Sequence, residues 1–109
     1  MAVDLLFENA RIVDGTGAPW FRGAVGVTDD VISHVIRGTD HGLDADERLD
    51  LDDAVVSPGF VDTHSHSDLE LFSDPTLSPK LRQGVTTEIL GQDGFSMAPM
   101  YREGGAEEG

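Results

Sequence analysis

Cysteine is absent from this chain, lysine occurs once, and no apolar stretch reaches eighteen residues. Without cysteine there can be neither disulfides nor thiolate metal sites. Without a long apolar run, no transmembrane helix is expected. The start, "MAVDLLFENARI", carries acids where a secretory signal would need a basic segment followed by an apolar one. Export is therefore not expected, and the expected compartment is the cytoplasm. Basic residues are scarce as well: seven Lys and Arg face 21 Asp and Glu, for a net charge of −14. Nucleic acids and anionic membranes both need basic patches, so neither is an expected partner.

The acids are spread along the chain and alternate with Val, Ile and Leu, where a disordered acidic tail would bunch them. A net charge this far from zero keeps a protein soluble while straining its compact state, and halophiles use that lever. A salt-adapted protein is the expectation. At 109 residues, length argues for one domain at most, with a modest core.

The first fifty residues read as strands. "DLLFENARIVDGTG" alternates in part and stops at the turn dipeptide Asp14-Gly15. Two β-branched runs, Ala24 to Val27 and Val31 to Ile36, flank Asp29-Asp30 and predict a hairpin. A third run places Leu49, Leu51, Val55 and Val56 in "RLDLDDAVVSPG". These signals predict a small antiparallel sheet. His34 on a strand and His41 in a polar loop are expected to be surface or packing histidines.

The character changes after Pro58-Gly59. "FVDTHSHSD" predicts a buried strand on which Asp62, His64 and His66 share one face, with Asp68 a further candidate for it. Val61, Thr63 and Ser65 then take the opposite face. "DPTLSPKLRQG" predicts one brief helix, and "VTTEILG" a second strand, Val85 to Leu90, followed by a loop. Strand, helix and strand within about thirty residues make a β-α-β unit and imply a parallel sheet. Two neutral imidazoles at i and i+2 on one face can converge on one divalent ion, for which zinc, iron and nickel are suited. By itself His-x-His is a weak signal; here it follows an apolar strand and an acid of the same parity.

"VVSPGFVDTHSHSD" resembles the first barrel strand of the amidohydrolase superfamily. "DLLFENARIVDGTGAPWFRGAVGV" and "RQGVTTEILGQDGFSMAP" are similar, more narrowly, to N-acyl-D-amino-acid deacylases, the D-aminoacylases. The likeness runs from Asp4 to about Pro99. It implies an α/β fold with an all-β part: a small β-sandwich, to which residues 1–57 contribute, and a metal-dependent β/α barrel beginning in residues 58–109. It implies a hydrolase in which water activated by a metal attacks the acyl carbon of an N-acyl-D-amino acid, a small-molecule substrate. His64 and His66 match the family's metal-binding His-x-His. Where D-aminoacylases commonly read Gly-Asn-Cys-Gly-Phe-Ser, with the cysteine a ligand, this chain has Asp93 between Gln92 and Gly94. Either Asp93 replaces that ligand, favouring harder metals such as manganese beside zinc, or it is a loop acid.

Length departs further. A β/α barrel takes about 250 residues, and 43 follow His66. The barrel is therefore expected to be incomplete, as in the front part of an enzyme, and no catalytic acid-base can be assigned. Asp68 is not given that role, and Arg82 and Arg102 are bare candidates for a substrate-carboxylate clamp. The alternatives are a piece of a hydantoinase- or dihydroorotase-like cyclic amidase, or a non-catalytic remnant. The "GFSMAP" loop favours the deacylases.

Overall fold

In a computed structural model, the structure describes residues 2–96. The chain divides into two compact units at Pro58 and Gly59, where length alone argued for a single domain. Strands dominate and helices are few and short. No described helix is long and apolar enough to cross a membrane.

The first unit is one sheet built around a central strand, β1 (Val3–Ile12). On one side β1 pairs antiparallel with β2 (Phe21–Thr28), and β2 pairs antiparallel with β3 (Val31–Arg37). The β2–β3 hairpin turns at Asp29 and Asp30, which both hold left-handed backbone (φ 50° and 62°) as a mirror-image two-residue turn requires. On the other side β1 pairs in parallel with β4 (Ala45–Asp50) and, further along, with β5 (Val55–Val56). The sheet is therefore mixed, which corrects the expectation of an antiparallel one. After β3 the chain reaches the far edge of β1 before pairing again, and a strand arriving there can run in the same direction as β1.

The incomplete alternation in β1 has a structural cause. Its register against β2 shifts between Phe7 and Ala10, where Asn9 takes the left-handed conformation (φ 53°). This is a β-bulge, two residues of β1 opposing one of β2. Its effect is to set Phe7, Ala10 and Ile12 on one face although their spacing is uneven. Ala10 and Ile12 are buried with Val25 against Phe7, Phe21, Leu51 and Val56. A second cluster joins Val3, Leu6 and Ala24 with Leu43 and Ala45.

The second unit is smaller. β6 (Phe60–Asp62) and β7 (Val85–Glu88) pair in parallel, as a β-α-β unit requires. Between them lie two single-turn helices, α1 (Glu70–Ser73) and α2 (Ser78–Arg82), where one was expected. Asp74 organises the second turn: its carboxylate accepts the Thr76 and Ser78 amides and the Thr76 hydroxyl. Gly59 lies so close to β7 that a Cβ there would meet the Thr86 side chain at 1.9 Å.

Two further expectations are corrected here. β6 ends at Asp62, so the histidines stand beyond it on irregular backbone, and Phe60 and Val61 are exposed where a buried strand was expected. β7 likewise ends at Glu88, before Leu90.

Candidate metal centre

The i, i+2 parity outlasts the strand. Ser65 is buried while His64 and His66, on either side of it, are exposed. Ladder-like bonds explain the persistence: the Ile89 amide donates to the Asp62 carbonyl at 2.8 Å, and the Ser65 amide to the Ile89 carbonyl at 3.4 Å. Asp68 does not share that exposed face. It is buried, with Oδ1 lacking a hydrogen-bond partner.

Asp93 arrives from a short 3-10 turn, Gln92–Gly94, after Gly91 has reversed the chain with φ 82°. The Asp93 backbone is left-handed (φ 57°), a conformation that aspartate tolerates better than most residues. Gln92 anchors the turn to the histidine segment by donating its side-chain amide to the Thr63 carbonyl at 3.1 Å. As a result, one carboxylate oxygen, Asp93 Oδ2, lies 3.1 Å from His64 Nε2 and 3.4 Å from His66 Nε2. The two imidazoles meet edge to face with centroids 5.1 Å apart, and Phe95 meets His66 the same way at 5.9 Å.

The ligand atoms of His64, His66 and Asp93 all fall within 4.8 Å of one another. In a tetrahedral zinc site, bonds of about 2.0–2.1 Å place neighbouring ligand atoms about 3.3 Å apart. The nitrogen–oxygen separations here lie close to that value. Two imidazoles and a carboxylate therefore fit a zinc-like divalent ion, and the carboxylate also admits harder ions.

Asp62, the acid preceding the histidines, is joined to two residues that sequence reasoning did not single out for a role, Lys80 and Glu88. Lys80 Nζ lies 2.5 Å from Asp62 Oδ2 and 3.2 Å from Glu88 Oε1. The Lys80 hydrogen bond, then the His64 amide, holds the Asp62 carboxyl below the usual aspartate range. Reciprocally, hydrogen bonding to Asp62 and then Glu88 raises the Lys80 ammonium above the usual lysine value. The available signal was that Lys80 is the sole lysine.

The remaining histidines belong to the first unit. His34 is exposed on β3, its Nδ1 2.9 Å from the Ser33 hydroxyl. His41 is a packing residue: the Leu43 amide donates to its Nδ1, leaving Nε2 to donate to Glu8 at 2.9 Å. Arg82 is exposed at the end of α2. Arg102 and the Met97–Pro99 part of the "GFSMAP" loop lie outside the described residues.

No protein-family model matches the chain, but individual proteins do. It is 39% identical over 97 residues to an N-acyl-D-glutamate deacylase of Alcaligenes xylosoxydans xylosoxydans, covering 89% of this chain and 20% of that protein. Its backbone matches the N-acyl-D-glutamate deacylase of Bordetella bronchiseptica, solved with zinc and a phosphonate mimic of the tetrahedral intermediate. That match has a TM-score of 0.81 and 37% identity, over 92% of this chain and 21% of the other. A D-aminoacylase structure devoted to its binuclear metal centre matches with a TM-score of 0.80 and 40% identity, over 90% and 20% of the two chains. By sequence and by backbone, this chain is similar to N-acyl-D-glutamate deacylases and to D-aminoacylases, the latter a subset of amidohydrolases, and it spans about a fifth of their length.

Proposed function

We propose that this chain carries part of the metal site of an amidohydrolase that hydrolyses the amide bond of N-acyl-D-amino acids. The observation that carries the reading is the convergence of His64, His66 and Asp93 at ligand spacing. In the same reading residues 1–57 form part of a small β-sandwich, and residues 58–109 begin a β/α barrel. The parallel β6–β7 pair supports the second assignment, because barrel chemistry gathers at the C-terminal ends of such strands. A cytoplasmic setting belongs to this reading too, supported by the cysteine-free composition.

A bound divalent ion would lower the pKa of a water and polarise the substrate carbonyl. His64 and His66 would hold it through neutral imidazole nitrogens, with Asp93 supplying a carboxylate oxygen. Phe95 and the Gln92–Thr63 hydrogen bond limit the freedom of the His66 ring and of the Asp93 turn. Hydrolysis also needs a proton-transferring group and a clamp for the substrate carboxylate, and the described residues give neither role a motif. Residues 1–109 alone are therefore expected to be inactive.

The test joins this chain to the remaining four-fifths of a D-aminoacylase and assays N-acetyl-D-methionine hydrolysis. Turnover should appear and fall at least a hundredfold in His64→Ala and in His66→Ala. Metal-dependent turnover by the 109-residue chain itself, lost in His64→Ala, would refute the need for further barrel strands. Full activity of both histidine variants in the joined protein would refute the site.

A further inference from the structure

We infer that Lys80 is a positioning residue for the histidine pair, acting through Asp62 and Glu88 without touching metal or substrate. The inference rests on the metal-site reading above. Asp62 and Glu88 close the C-terminal ends of β6 and β7 and are partners across the parallel ladder. Lys80 comes from α2, within the crossover that connects these strands. Its ammonium thus bridges the last rung of the two strands that its own helix joins.

The link to the histidines passes through a single carboxylate. One Asp62 oxygen takes Lys80, and the other accepts the His64 amide at 3.2 Å. Fixing that carboxylate therefore fixes the turn from which the His64 side chain departs. The neighbouring strand is held at the same point, since the residue after Glu88 donates its amide to the Asp62 carbonyl. Charge explains why a cation belongs here. The Glu88 side chain is only 9% exposed, and two carboxylates at one rung, one of them buried, would neutralise or splay apart without a counter-charge. The described residues give these acids no metal alternative, because the metal-competent cluster found among them is the His64, His66 and Asp93 set. A lysine suits the task as a compact point charge able to serve acids on two separate strands, whereas arginine's planar fork favours one carboxylate.

The test uses the 109-residue chain and two readouts: zinc affinity by competition with a chromophoric chelator, and metal-free amide exchange by NMR. Lys80→Met should weaken zinc binding at least tenfold and speed exchange of the His64 amide at least tenfold, with the Leu6 amide unchanged. Because that variant leaves two acids facing each other, a triple variant, Lys80→Met with Asp62→Asn and Glu88→Gln, accompanies it. The triple variant should keep Thr87 amide protection and still lose the zinc affinity. Zinc affinity within twofold of wild type in the triple variant overturns the inference. So does loss of Thr87 protection there, which would make Lys80 a determinant of the fold alone. If the wild-type chain shows no His64-dependent zinc binding, the metal-site reading fails instead. His64 exchange then decides on Lys80 by itself: accelerated in Lys80→Met it supports the tether, unchanged it refutes it.

Discussion

Among the described residues the buried apolar side chains, from Val3 to Val25, all belong to the unit that ends at Pro58. What the other unit buries is polar, Ser65 and Asp68, while its large apolar residues Phe60, Leu69, Phe72 and Leu81 are exposed. One unit is held by removing apolar surface from water, the other by hydrogen bonds, a lysine bridge and a parallel pair of short strands. The difference separates a scaffold from a candidate site. The scaffold is a continuous five-stranded sheet, whereas the candidate ligands stand on irregular backbone just past the strand ends.

The most disruptive way to test this contrast is to truncate one leucine in each unit. Leu6 is fully buried, and Leu6→Ala should cost about 2–5 kcal/mol. Trp20 is the sole tryptophan and lies in the first unit, 5.1 Å beneath the Arg11 guanidinium, so its fluorescence in urea reports that loss. Leu81→Ala, at an exposed position of the second unit, should cost no more than about 0.5 kcal/mol. Equal costs would abolish the contrast.

The contrast also accounts for what could be read in the sequence. The β2–β3 hairpin was legible because Asp29-Asp30 sits between two β-branched runs, and turn chemistry is local. The β-α-β unit was legible for the same reason. Parallel pairing of β4 and β5 with β1 was not, because a strand's sequence does not name its partner. The bulge at Asn9 disguised a buried strand as an imperfect one. At the site, the parity of His64 and His66 was legible because alternation continues past β6 through the Ile89 bonds. The end of β6 at Asp62 was not, since the apolar residues before it gave no stop signal. Lys80 escaped notice because its partners lie 18 residues before it and 8 after it in the chain, joined only by the fold.

A smaller effect is expected from acid. Hydrogen bonding from Arg11, and then the charges of Arg11 and Arg22, hold the Asp53 carboxyl below the usual aspartate range. Its folded pKa thus lies below the unfolded value of about 3.9. The stability it contributes is complete above that pH and is lost as pH falls through the folded value. The urea midpoint followed by Trp20 should therefore drop below about pH 4, and Asp53→Asn should flatten that drop. An unchanged slope in the variant would remove Asp53 from the account.

The smallest expected effect is a gain. Asp30 occupies the second turn position of the β2–β3 hairpin with φ 62°, where glycine is strongly preferred. Asp30→Gly should stabilise the first unit by about 0.5 kcal/mol, relief of the left-handed strain being partly offset by backbone entropy. A lowered urea midpoint would show that the aspartate is wanted there for another reason.

The bulge also governs how this strand tolerates changes of length. Because residues 8 and 9 together oppose one residue of β2, deleting one of them would restore an even ladder and leave Phe7, Ala10 and Ile12 on the same face. A deletion between Ala10 and Ile12 would instead reverse every side chain beyond it, turning Ile12 out of its cluster. Within β1, insertions and deletions among related chains should therefore collect at Asn9, and a gap aligned anywhere else in the strand would signal a misplaced alignment or a different sheet.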